Sequence, residues 1–143
     1  MKSIIHHLNV QTRFETEMID ITDQVSKLIS EAGVRSGMVL VLSLHTTTGL
    51  TVNEGLPDLE KDILALIARL VPEMESYNHA RWLPSDGQMA VNAPSHLRGA
   101  LLGFQAFFPI EDGHILKGSR QKIYFVELDG PQYRNYIVQV LGE

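Results

Sequence analysis

Residues 38–55 read MVLVLSLHTTTGLTVNEG. Met38-Val39-Leu40-Val41-Leu42 is a continuous apolar run, the pattern of a buried strand. At Leu44 the chemistry changes abruptly: His45, the three threonines Thr46, Thr47 and Thr48, then Gly49 and, a little further on, Asn53-Glu54. β-Branched threonines favour extended backbone and line a strand end with hydroxyls. Gly49 lets the chain bend or approach a neighbour closely. A stretch needed only for packing has no use for such residues, so an active or binding site is expected here.

The rest of the chain sets limits. Its 143 residues fit one domain, and 44% hydrophobic with 20% charged residues is too apolar for disorder. A net charge of −5 supplies no basic field, which argues against a nucleic-acid partner or an anionic membrane surface. Without cysteine there is neither disulfide nor thiolate chemistry. No apolar run approaches the roughly 20 residues of a membrane span, and the N-terminus has no apolar h-region, so a cytoplasmic location is expected.

In order, Ser3–Thr12 and Glu17–Ile21 read as strands, with a hairpin expected around Arg13-Phe14-Glu15. A helix follows. Ile21 can staple it, Thr22 or Asp23 can cap it, and Val25, Leu28, Ile29 and Ala32 form its stripe before Gly33. Leu50–Glu54 is a further short strand. Pro57 opens a second helix with the stripe Leu59, Ile63, Leu66, Ile67 and Leu70, ending at Pro72. Its early acids Asp58, Glu60 and Asp62 suit the positive end of the helix dipole, or one of Glu54, Asp58 and Asp62 turns back to the site. Residues 77–87 form a long loop with ligand-reading residue types and the only tryptophan, Trp82. Asn92 is the expected cap of a third helix, with Leu97, Ala100 and Leu101 toward the core and Gly103 at its end. Strands over 104–110, 121–128 and 133–141 complete the reading. Adjacent Ile137 and Val138 imply a strand covered on both faces. The fold class is therefore α+β: antiparallel sheets, sandwich-like, with about three helices packed on them.

Three histidines stand among small and polar residues: His45 at a strand end, His79 in the long loop and His96 in the first turn of a helix. If they converge, they make a zinc-like divalent-metal site with an open position; otherwise they are one packed and two surface histidines. Near the helix dipole's positive end His96 stays neutral, fit for a metal or as a donor to an anion. Arg98 beside that helix start, and Lys117 and Arg120 around Gly118, read either as anion-binding cations or as solvated charges. There is no P-loop, G-x-G-x-x-G or G-x-S-x-G motif.

His45-Thr46-Thr47-Thr48-Gly49-Leu50 with Asn53-Glu54, Asp58 and Asp62 resembles the signature of the YjbQ family. Later blocks are similar too: Tyr77-Asn78-His79, Asn92-Ala93-Pro94-Ser95-His96-Leu97, Leu101-Leu102-Gly103, Gly118-Ser119-Arg120-Gln121 and Glu127-Leu128-Asp129-Gly130-Pro131. The resemblance implies a homotrimer of small α+β subunits with a secondary thiamine-phosphate synthase activity. In that reaction a thiazole phosphate is joined to a hydroxymethylpyrimidine diphosphate. It implies His45, His79 and His96 as catalytic residues and metal ligands and Glu54 as a catalytic orienting group. Thr46, Thr47, Thr48, Asn53, Asn92, Arg98, Arg120 and Gln121 are then expected to hold a phosphorylated small molecule. The alternative is a non-catalytic homotrimeric module that binds a phosphorylated metabolite or a metal. This chain departs from the family pattern at Arg120, where tryptophan is usual, at Gln132, where arginine is usual and Arg134 stands nearby, and at Val91.

Overall fold

The structure, a computed structural model, describes residues 1–79 and 91–143 and, between them, the backbone of 80, 82–83 and 88–89. Among the described residues, ten strands and three α-helices follow in the order β1 (Lys2–Gln11), β2 (Glu17–Asp20), α1 (Thr22–Ala32), β3 (Ser36–Ser43), β4 (Thr48–Glu54), α2 (Pro57–Leu70), β5 (Trp82–Leu83), β6 (Gln88–Met89), α3 (Ala93–Leu102), β7 (Gln105–Glu111), β8 (His114–Ile115), β9 (Gln121–Glu127) and β10 (Tyr133–Gly142). A 3₁₀ turn spans Asn78–Ala80. The larger sheet is ordered β1-β10-β3-β7-β8 and the smaller β2-β9-β4, with β5–β6 a separate pair. Every strand pair is antiparallel, as the α+β reading requires.

Alternation of side chains along the strands builds the layers. Val39 and Val41 of β3, Phe108 and Ile110 of β7, and Val138 and Val140 of β10 point to one side of the larger sheet. There they meet α1 and the inner residues Leu50, Ile123 and Phe125 of the smaller sheet. The opposite face of β9 buries Tyr124 and Val126, together with Leu128 just beyond the strand, against Leu64 of α2. The strand covered on both faces is thus β9. The outer face of the larger sheet is apolar but uncovered: Leu40 is opposite Phe107 and Leu42 opposite Ile137, with Phe107 64% and Met38 45% exposed.

Helix α1 buries Val25, Ile29 and Ala32, and Gly33 takes the left-handed turn (φ +64°) that stops it. Its N-terminus is held by Asp20, whose carboxylate accepts the Thr22 N–H at 2.9 Å; the Thr22 hydroxyl instead accepts Ile123 N–H at 2.8 Å. The expected β1–β2 hairpin is replaced by a crossing between sheets. β1 pairs with β10, a ladder that Thr12 N–H extends to Gln132 O at 2.9 Å, and β2 pairs with β9. Helix α3 also turns differently. Ala93, Pro94, Ser95, Arg98 and Gly99 are buried, whereas Leu97 and Leu101 are 42% and 61% exposed. Small Ser95 and Gly99 let this helix lie directly on polar backbone, which leucines on that side would prevent.

No helix among the described residues is long and apolar enough to cross a membrane.

Candidate active site

The segment between β3 and β4 is closed by its own hydroxyls. Ser43 Oγ and Thr48 Oγ1 share a hydrogen bond, and the Thr48 hydroxyl also reaches His45 O at 3.1 Å. Outside help comes from the corner between β9 and β10. Arg134 Nη2 donates to Thr47 Oγ1 at 2.8 Å, Leu128 N–H to Thr47 O at 3.2 Å, and Asn135 N–H to the Nε2 of His45 at 2.9 Å. The same corner fixes α3: Ser95 Oγ donates to Leu128 O at 2.6 Å and Asn92 Nδ2 to Asp129 Oδ2 at 3.1 Å. One stretch, 127–135, therefore orients both the loop with His45 and the helix with His96.

At its centre is an ion pair taken wholly out of water. Glu127 is 0% and Arg134 2% exposed. Arg134 Nη2 lies 2.6 Å from Glu127 Oε2 and Nε 2.9 Å from Oε1, while Thr12 Oγ1 donates to Oε1 at 2.7 Å and the N–H groups of Leu128 and Asp129 to Oε2. Burial pushes the Glu127 carboxyl up. The bonds from Arg134, Thr12 and Asp129 outweigh it and hold the carboxyl below its usual range. His45 lies below the ordinary histidine value, first through burial and then through the charge of Arg134, with Glu127 opposing.

Two cavities meet at His96. One, of about 540 Å³, is lined by Leu42, Ser43, Leu44, His45, Thr46, Thr48, His96, Gly99, Ala100 and Phe104. The other, of about 430 Å³, is lined by Tyr77, Asn78, His79, Ala93, His96 and Leu97. The His79 and His96 rings meet edge-on, their centroids 5.1 Å apart. All three histidines thus face one two-lobed cleft, His45 in one lobe, His79 in the other and His96 between. They do not make a ready metal set. Among the described residues no three His, Asp or Glu side chains are placed to hold an ion, and the Nε2 lone pair of His45 is taken by Asn135 N–H.

The other expected site residues are distributed by function. Thr46 and Thr48 line the first lobe, whereas Thr47 is turned to Arg134. Arg98 is 5% exposed and committed: Nε and Nη2 donate to Val71 O, and Nη1 lies 3.2 Å from Glu73. It ties α3 to the end of α2. Asn53 and Glu54 sit at the far end of β4, which at about 3.3 Å per residue lies roughly 20 Å from Thr48. There Arg120, its side chain 83% exposed, is 3.4 Å from Glu54, and Gln121 accepts Gly118 N–H. Asn92 braces Asp129, Asp58 is exposed beside Lys61, and Glu60 accepts the Tyr124 hydroxyl. The Trp82 side chain and residues 84–87 lie outside the described residues. Glu127, Arg134 and Asn135 carry the site's geometry. Their signal was an acid inside the apolar run 123–128, which in a folded core needs a buried partner.

Gly99 sets how closely α3 approaches. A Cβ there would lie 2.7 Å from Thr48 O and 3.1 Å from Thr46 O, both backbone. Gly99→Ala should therefore push the helix away. The clash costs about 1–3 kcal/mol, offset in part by about 1 kcal/mol of helix propensity. A thermal melt should show a net fall, at about 2–4 °C per kcal/mol for a chain this size; an unchanged or raised midpoint would show that the contact is not tight.

Fold and cleft define the class: a small protein of antiparallel sheets and three helices, whose strand-end HTTTG segment and third helix face each other across a histidine-walled cleft. The family description "UPF0047 protein YjbQ-like" matches residues 6–143, and the chain belongs to this family. A UPF0047 protein of Archaeoglobus fulgidus is 41% identical over 134 residues, 94% of this chain and 98% of the relative. YugU of Bacillus subtilis is 35% identical over 136 residues, covering 94% and 97%. The crystal structure of a YbjQ-like protein of unknown function from Sulfolobus solfataricus superimposes with a TM-score of 0.91 at 33% identity, covering 99% of both chains.

Proposed function

We propose that this chain is a transferase of the thiamine-phosphate synthase type, joining a thiazole phosphate to a hydroxymethylpyrimidine diphosphate in the two-lobed cleft. The observation that carries the reading is the shared wall: two cavities, each large enough for one heterocycle, open on either side of His96. The thiazole nitrogen attacks the methylene carbon of the pyrimidine, the carbon–oxygen bond to the diphosphate breaks, and its electron pair leaves with pyrophosphate. The new carbon–nitrogen bond makes the thiazole a cation. Such a step needs the two rings in line and donors at the leaving oxygens. His45, His96, the Thr46 hydroxyl and the N-terminal turn of α3, where Ala93 lines the second lobe, supply donors of that kind.

Simultaneous binding tests this reading without turnover. Calorimetric titration of a thiazole phosphate should give the same stoichiometry with and without saturating pyrophosphate. Mutual exclusion would contradict a two-substrate cleft. One observation favours a second reading, a module that binds a phosphorylated metabolite without converting it: none of the described lining residues of either lobe is lysine or arginine.

Assembly is part of the proposal. The uncovered apolar face around Leu40, Leu42, Phe107 and Ile137 supports burial against further copies, and we expect a homotrimer. Light scattering at micromolar concentration should give three times the chain mass; a monomer would refute this.

A further inference from the structure

The ladder between β10 and β3 ends at the pair Tyr136–Ser43. One residue further, Asn135 still accepts Leu44 N–H on its carbonyl at 3.2 Å, but its own N–H is met by an imidazole, Nε2 of His45, at 2.9 Å. A backbone amide can only donate, so Nε2 presents a lone pair and the neutral ring carries its proton on Nδ1. Protonating Nε2 would set two donors against each other. No hydrogen-bond partner for Nδ1 occurs among the described residues, and the ring lines the larger lobe of the cleft.

We propose that His45 is a fixed neutral donor whose Nδ1–H serves an acceptor oxygen of a phosphate or diphosphate bound in that lobe, with the Asn135 amide as its clamp. The proposal rests on the reading that the cleft holds a phosphorylated substrate. Arg134 and Glu127 are positioning residues: the buried pair fixes the start of β10, and Arg134 also grips Thr47, two residues beyond the histidine. The clamp withholds His45 from a metal's coordination sphere. Ligation would need either the loss of the Nδ1 proton or the rupture of the Asn135 bond.

Histidine-selective nitrogen NMR on the free wild-type protein, at about pH 8 where an ordinary histidine is neutral, reads the tautomer without any substrate. The expected result is a protonated Nδ1 and a bare Nε2 at His45, with both signals unmoved when zinc is titrated in. Protonation at Nε2, or His45 signals that move with zinc, overturns the assignment.

The donor role is read by titrating pyrophosphate into wild type, His45→Asn and His45→Gln. An asparagine amide sits near the Nδ1 position and can replace that donor, whereas a glutamine amide sits near Nε2. H45N should stay within about threefold of wild-type affinity and H45Q should lose about tenfold, the worth of one hydrogen bond to a charged group. Equal losses, no loss, or no binding to wild type would overturn the donor role. If this pattern appears but no thiamine phosphate is ever formed, the transferase reading falls and the donor assignment stands.

Discussion

Arg134→Met should destabilise the fold by about 3–5 kcal/mol, because it leaves the fully buried Glu127 carboxylate without its cation. Methionine fills much of the same volume, so the loss is chiefly of charge and hydrogen bonds rather than of packing. Two features separate this from an ordinary core defect. First, the double variant E127Q/R134M should be more stable than R134M alone, since the amide oxygen still accepts from the Leu128 and Asp129 N–H groups while no bare charge remains. Second, the pH dependence should reverse. In the wild type Glu127 lies below its ordinary value of 4.5, so its contribution is present above pH 4.5 and is lost as the pH falls through the lower folded value. In R134M burial dominates and lifts the folded value above 4.5, so stability should rise as the pH is lowered toward 4.5. Denaturant unfolding across the acid range checks both; a single variant less harmful than about 1 kcal/mol would mean that water reaches the pair.

His96→Ala should lower turnover at least about a hundredfold while leaving the melting temperature close to that of the wild type. The ring is half-buried, its described ring contact is with His79, and it lines both lobes. On the proposed transferase reading, its loss merges the two lobes and removes a donor to the leaving oxygens. A variant with unchanged turnover would place the chemistry elsewhere.

Much of the frame was legible in the sequence, and the failures have identifiable causes. Helix α1 was readable because its apolar period and its glycine stop point to the same element. For α3 the existence was readable but the buried face was not. Leucines promise a core side, yet Ser95, Arg98 and Gly99 are inside because each meets a carbonyl: Leu128 O, Val71 O and Thr48 O. The β1–β2 hairpin was expected from closeness along the chain, whereas the partners that won, β10 and β9, lie more than a hundred residues away.

The site divides in the same way. The residue types at 45, 79 and 96 marked one cleft, since a strand end, a loop and a helix start carry polar groups that a core would not keep. What sequence could not show was engagement. Arg98 looked like an anion reader and is spent on Val71 and Glu73. Arg120 looked like another and pairs with Glu54 at the opposite end of β4. Conversely, Glu127 and Arg134 sit in strands of different sheets, and only the fold brings them within bonding distance.

Product formation separates a cleft that joins its two ligands from one that only holds them. Purified wild-type protein is given the thiazole phosphate and the hydroxymethylpyrimidine diphosphate together, and thiamine phosphate and pyrophosphate are quantified over time against a protein-free control. Both products should appear in equal amounts, in proportion to protein, and H96A should abolish nearly all of the formation. Binding of both ligands with no product above the control would contradict the transferase reading and leave the cleft as a site that holds phosphorylated molecules without joining them.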